Sequence, residues 1–249
     1  SDAFYGCTSL AYADFSTSLT DIGQRAFEGC TALKEIVLPD SVKNVGNEAF
    51  KECSAATKLK LSSGMTVVNN YTFKGCRSLP EIAIPASITQ IGREAFYDCS
   101  AASMIRLHKD VVSVGDYAFY GRNSNSVIRW DECQGPDVVY LGKDALGAYG
   151  YLLAPINSAA YVYATTHSGI KFISTQVKLF VLRCYHIILK RPGAVDSEDN
   201  VDEAGMLSWC KGVVDGSQSG ASLVSNFMNS QEFQKQENSN EEKVKRLYD

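Results

Sequence analysis

Six phenylalanines recur at a fixed interval of 23 residues: Phe4, Phe27, Phe50, Phe73, Phe96 and Phe119. Five follow an alanine, and Thr72 takes that place before Phe73. A cysteine comes three residues after each of the first five (Cys7, Cys30, Cys53, Cys76 and Cys99), with Arg122 in the sixth slot. Upstream lie the apolar-glycine pairs Ile22-Gly23, Val45-Gly46, Ile91-Gly92 and Val114-Gly115, and Val68-Asn69 in the remaining unit. A unit of this length is one supersecondary piece that buries its apolar side only by stacking on copies of itself.

Downstream of each Ala-Phe the pairs Ile36 and Leu38, Leu59 and Leu61, Ile82 and Ile84, Ile105 and Leu107, and Ile128 and Trp130 alternate with period two. Each unit therefore reads as a short strand, a glycine-marked turn and a brief helical turn around Ala-Phe. The glycine slot reads as a left-handed backbone position, which Asn69 also tolerates. Leu33 and Leu79 alternate with Ala56 and Ala102, and Pro39 and Pro85 with Ser62 and His108, which suggests a doubled 46-residue unit.

The pattern Gly-x-x-Ala-Phe-x-x-Cys-x-x-Leu-x-x-Ile-x-Leu-Pro, read best from Gly23 to Pro39 and again from Gly92 to Leu107, resembles the BspA-like, or Treponema-type, leucine-rich repeats of bacterial surface proteins. The resemblance covers about Ala3 to Trp130. It implies a leucine-rich-repeat solenoid, export, and adhesin-like binding without catalysis. Past Trp130 the register slips: Gly142 lies 27 residues after Gly115, and Ala145-Leu146 replaces Ala-Phe, as in a degenerate terminal repeat. Ser158 to Ala164, followed by Gly169 to Phe172, is similar to the segment that ends such arrays. Because the chain begins inside a unit, a longer natural array is expected.

After Ser174 helical spacing replaces the ladder. Val177, Phe180, Val181, Cys184, Ile188 and Leu189 share one stripe, and Met206, Leu207, Trp209, Cys210, Val213 and Val214 form a second apolar group. A third group runs through Leu223, Val224, Phe227 and Met228. The expected fold class is thus α+β: a repeat domain with a degenerate cap over 1–173, then a small all-α bundle over 174–249. Phe180-Val181-x-Arg183-x-Tyr185, Glu203-Ala204-Gly205, Trp209 and Phe227 with Glu232-Phe233 are similar to a small helical domain of unknown function in secreted and surface-layer bacterial proteins.

Catalysis finds little footing. Among the three histidines, His186 lies two residues from Cys184, so on a helix they face different ways. His108 sits in the slot of a proline and His167 in a terminal loop. No nucleophile elbow, phosphate loop or zinc-protease helix occurs, and no cofactor is expected. Five of the eight cysteines form a straight ladder rather than a tetrahedron, so reduced thiols that fill core slots are expected instead of a metal centre. The acidic run Asp196, Glu198, Asn200, Asp202 is a calcium candidate, but Val201 stands where an EF-hand needs glycine and Leu207 where it needs glutamate. Asn70-Tyr71-Thr72 reads as an accidental glycosylation sequon at a turn. A net charge of −4 without a basic stripe argues against nucleic acid, and no apolar run approaches the roughly 20 residues that cross a bilayer.

What remains is the strand face turned away from the core. With Ile36 and its equivalents inward, Glu35 and Val37, Lys58 and Lys60, Glu81 and Ala83, Met104 and Arg106, and Val127 and Arg129 point outward. Four basic groups against two acidic ones suggest a mildly positive surface, on which Lys58, Lys60, Arg106 and Arg129 would contribute to the site of an acidic or extended partner, a protein or surface polymer. Two functions are compatible with it: extracellular or cell-surface recognition of host or neighbouring-cell macromolecules, and a structural spacer or attachment module of a surface layer.

Overall fold

The computed structural model describes residues 1–135, 138–183 and 203–229. The chain divides into two compact units, Ser1–Phe172 and a second that begins at Ile173. The first is a parallel β-solenoid of about seven turns. One row of short strands comprises β1 (Asp21–Ile22), β3 (Asn44–Val45), β5 (Val67–Val68), β7 (Gln90–Ile91), β9 (Ser113–Val114) and β11 (Tyr140–Leu141). A second row comprises β2 (Glu35–Val37), β4 (Lys58–Lys60), β6 (Glu81–Ala83), β8 (Met104–Arg106) and β10 (Val127–Arg129), continued by β12 (Gly150–Ala154) and β13 (Ile170–Ser174).

Pairing keeps the register of the repeat, with Ile36 beside Leu59 and Ile82 beside Ile105 and then Ile128. Most inward residues are fully buried, as are the alternating Leu33, Ala56, Leu79 and Ala102. Phe27, Phe50, Phe73, Phe96 and Phe119 stack along the axis with centroids 5.2–5.6 Å apart and planes within 10° of parallel. Burial of each such ring stabilises the stack by roughly 1.5–3 kcal/mol.

The Ala-Phe segment is not the helical turn that its spacing suggests. Ala26, Glu28 and Cys30 donate three residues back to Gly23, Arg25 and Phe27, while the intervening N–H groups of Arg25, Phe27 and Gly29 donate to Asn47, Ala49 and Lys51 of the next turn at 2.7–3.0 Å. A helix would spend all these donors internally and leave the stack without them. Left-handed residues aim them along the axis instead: Arg25, Glu48, Tyr71, Glu94 and Tyr117 have φ between 51° and 60°. A second left-handed site is Gly29, Gly75 and Gly121 in alternate units, and Glu52 and Asp98 between them. This alternation supports the doubled unit, and Arg77 holds both exceptions, with Nη1 2.7 Å from Glu52 and Nε 2.7 Å from Asp98.

The glycines before Ala-Phe serve a different need from the expected one. They lack a left-handed backbone, but a Cβ on Gly46 would stand 2.4 Å from Gln24 N, and one on Gly115 2.6 Å from Arg93 N. Close approach of successive turns is what excludes a side chain. Asn69, in the same slot, is not left-handed either; its Nδ2 donates to Val45 O at 2.7 Å, where Gly46 and Gly92 use the backbone N–H on Ile22 and Val68. The β-row accordingly breaks between β3 and β5. The other row breaks between β4 and β6, where Pro80 has no N–H in a slot from which Lys34, Thr57 and Ser103 each donate to the preceding turn.

The slipped seventh turn still stacks, with Leu141 beside Val114 and the Phe119 N–H on Ala145 O. Helix α1 (Ala159–Thr166), capped by Ser158 Oγ accepting from the Tyr161 N–H, buries Ala159, Ala160 and Tyr163 over the end of the core. His167 caps the C-terminus of this helix, just past its last residue, and stacks on Tyr163. In the second unit, α2 (Thr175–Arg183) packs on α3 (Glu203–Val214), and α4 (Gly220–Asn229) follows; Val181, Met206, Leu207 and Cys210 are buried. Cys184, Ile188 and Leu189 of the expected stripe lie outside the described residues, as does His186.

Candidate binding face

The row from β2 to β10 presents two columns of side chains to solvent. Pairing in register within β2–β4 and within β6–β8–β10, with the 23-residue spacing carried across the break between β4 and β6, gives one column of Glu35, Lys58, Glu81, Met104 and Val127 and another of Val37, Lys60, Ala83, Arg106 and Arg129. Rungs of such a sheet are about 4.8 Å apart, so the columns form a rigid grid. Val127 departs from the expectation, being only 1% exposed, and β12 is buried along its whole length, so the open face ends at Arg129.

The columns begin one turn earlier than the strand pattern indicated. Tyr12 and Asp14 lie 23 residues before Glu35 and Val37, are both exposed, and are held in line by the Lys34 N–H on Ala11 O and by Phe15, whose ring packs edge-on against Phe27 and Phe50. The missed signal was the period itself, since Ala13 and Phe15 are smaller or aromatic substitutes for Ile36 and Leu38. Tyr12, Asp14, Glu35, Val37, Lys58 and Lys60 together line an open groove of about 460 Å³ with Leu38 and Pro39 beneath. Glu81, Met104, Arg106 and Arg129 lie further along the face and outside it.

The face is not positive. Lys58 pairs with Glu35 at 3.0 Å, Lys60 with Asp40 at 3.7 Å, Arg106 with Glu81 at 2.9 Å and Arg129 with Asp131 at 2.5 Å. The count of outward strand residues omitted Asp40 and Asp131, which sit just past the strands and return the missing negative charge. The Ser63 N–H and hydroxyl, with the Lys60 ammonium, hold the Asp40 carboxyl below the ordinary carboxylate range. The lysine pairs are more open to solvent than the arginine pairs, so water screens them and they add little to stability.

Elsewhere the chemistry is that of packing. Cys30, Cys53, Cys76 and Cys99 are buried and free, and burial pushes the thiols of the last three far above the ordinary range. Among the described residues no group of histidines, cysteines and carboxylates is arranged to hold a metal. The calcium candidate Asp196, Glu198, Asn200 and Asp202 lies outside the described residues. In the sequon, Thr72 is fully buried, and Asn70 is exposed with its Oδ1 accepting from the Arg93 N–H. His108 Nδ1 lies 3.0 Å from Asp110, and His167 Nε2 lies 3.3 Å from Asp144.

A stack of parallel two-stranded turns around a phenylalanine and cysteine core defines a leucine-rich-repeat solenoid, a class that is typically a non-catalytic scaffold for protein interactions. Within it, the description "BspA type Leucine rich repeat region" matches residues 1–126 in six copies, and the chain belongs to that family. Among solved structures it is similar to a leucine rich cell surface protein from Faecalibacterium prausnitzii A2-165, at 31% identity over 48% of this chain and 32% of that one, with a TM-score of 0.46. The chain thus spans about a third of that protein's length. A T. pallidum leucine-rich-repeat protein is 28% identical over 69% of this chain and 76% of that one, with a TM-score of 0.51. A leucine-rich-repeat protein from Bacteroides ovatus is 20% identical over 69% of this chain and 58% of that one, with a TM-score of 0.47. No curated protein matches the chain.

Proposed function

We propose that the chain is a non-catalytic recognition protein of a bacterial cell surface, or released from one, that binds a protein or extended polymer through the outward columns of its repeat face. The observation that carries this reading is the grid itself: exposed side chains of two columns, from Tyr12 to Arg129, fixed in register on a backbone that cannot rearrange without unstacking the core. Export and surface display rest on the resemblance of the repeats to those of bacterial surface proteins. The non-catalytic part of the reading rests on the repeat class and on the burial of Cys30, Cys53, Cys76 and Cys99 in the core. We assign recognition to 1–173 and an attachment or extension role to 174–249.

The test is retention of host matrix proteins and of the producer's own cell wall by the immobilised full chain. It is repeated after charge reversal at Lys58, Lys60, Arg106 and Arg129. Retention of a host protein that the reversal alters is the expected outcome. A second reading, a structural spacer of the surface layer, is favoured by the use of Lys58 and Arg106 in pairs that join one turn to the next. Retention of wall material alone, indifferent to the reversal, would establish the spacer in place of recognition.

A further inference from the structure

Resting on the recognition reading, the chemistry of the partner follows from what the groove at the head of the face leaves unpaired. Of the charged residues in the two columns, Asp14 alone has no ionic partner among the described residues, since Glu35 and Asp40 already occupy Lys58 and Lys60. Beside it Tyr12 is 74% exposed and makes no ring stack, cation contact or side-chain hydrogen bond among the described residues. Tyr5, Tyr71, Tyr97 and Tyr117, on another flank, each already face a lysine or arginine. A free carboxylate two residues from a free aromatic ring, at most about 7 Å away along the chain, is the pairing that attracts a cation.

We infer that this groove binds an arginine side chain of a partner polypeptide, with the Tyr12 ring against the guanidinium and the Asp14 carboxylate accepting its N–H groups. Arginine suits the site better than lysine because a planar guanidinium stacks and donates in the same pose. Val37 and Pro39, which line the same groove, offer an apolar rest for the methylene stem. An acidic ligand would have to displace Glu35 or Asp40 and meet the uncompensated Asp14.

The probe is a labelled peptide of alternating arginine and serine, titrated into the full chain at low ionic strength beside its lysine and glutamate counterparts. Asp14→Asn and Tyr12→Ala are each expected to weaken arginine-peptide binding about tenfold, while Tyr12→Phe keeps it. Glu132→Gln, which removes one exposed carboxylate paired with Lys109 away from the groove, leaves binding unchanged. No arginine-peptide binding, an equal loss in Glu132→Gln, equal or tighter lysine-peptide binding, or tighter glutamate-peptide binding through Lys58 and Lys60 overturns the inference. A host protein retained regardless of Asp14→Asn and Tyr12→Ala removes the arginine site and leaves recognition standing. Peptide held through Asp14 with no host protein retained does the reverse.

Discussion

The Sγ of Cys76 donates to the main-chain carbonyl of Phe50, 26 residues earlier, at 3.4 Å. Cys30, Cys53 and Cys99 repeat the contact toward Phe4, Phe27 and Phe73 at 3.2–3.4 Å. Each thiol thus satisfies a carbonyl of the turn below, and its burial disfavours the thiolate that oxidation and alkylation require. In the native chain Cys7, which is exposed, should react with a thiol reagent long before these four. In denaturant without reductant all eight cysteines of the chain should titrate. Two or more missing thiols would show that disulfides form.

Gly92→Ala should destabilise the solenoid by about 1–3 kcal/mol, because the new Cβ would meet the Asn69 carbonyl carbon and the Asn70 N at 2.8 Å. The obstacle is backbone of the adjacent turn, which no rotamer change relieves. Gly29→Ala, left-handed at φ 75° but with its nearest neighbour 3.6 Å away, should cost only about 1–2 kcal/mol. Urea midpoints measure both. An unchanged urea midpoint in Gly92→Ala would contradict the close-approach argument.

The stack was legible in the sequence because stacking demands identical spacing: Phe50 can lie on Phe27 only if every intervening residue is matched. Face assignment followed from period two, and the seventh turn from Gly142 despite its slip. Backbone handedness was not legible. Arg25, Glu48 and Tyr71 share a left-handed site but no side-chain chemistry, so composition carries no trace of it, whereas the glycines that drew attention mark close approach. Charge on the face was misread for a related reason. Asp40 and Asp131 lie beyond the strands and reach back, which spacing along a strand does not report.

Acid should loosen the array through Glu28 and Glu94. Burial alone would raise both carboxyls, but Arg25 and Lys51 around Glu28, and Lys74 and Arg93 around Glu94, outweigh it and hold both below the ordinary glutamate range. A carboxylate with a depressed folded pKa adds stability that is complete above the unfolded pKa and lost as pH falls through the folded one. The urea midpoint should therefore stay level from neutrality to about pH 5 and drop below about pH 4.5. Glu94→Gln should lower the neutral plateau and flatten the acid limb. An unchanged acid limb in that variant would place the acid sensitivity elsewhere.

Arg122 closes the far end of the cysteine ladder with a different device. Its guanidinium donates to Leu146 O from Nε and Nη2 at 3.2 and 3.0 Å, and Nη1 reaches the carbonyl and hydroxyl of Ser126. Among these bonded partners none is a carboxylate, and burial lowers the pKa to about 10. The group therefore stays charged throughout the neutral range, and the effect of removing it should be flat there. Arg122→Met leaves the Leu146 and Ser126 carbonyls without their donors in the slipped turn, a loss of about 1.5–3 kcal/mol. Arg122→Lys keeps the charge but not the fork that spans both carbonyls, so it should fall nearer to methionine than to arginine. Amide exchange locates the damage: faster exchange should be confined to the turns around Phe119 and Ala145, while the turns around Phe27 and Phe50 keep their protection, because each turn of a solenoid leans only on its neighbours. If lysine restores wild-type exchange at Ala145, a point charge suffices and the shape of the guanidinium is irrelevant to the cap.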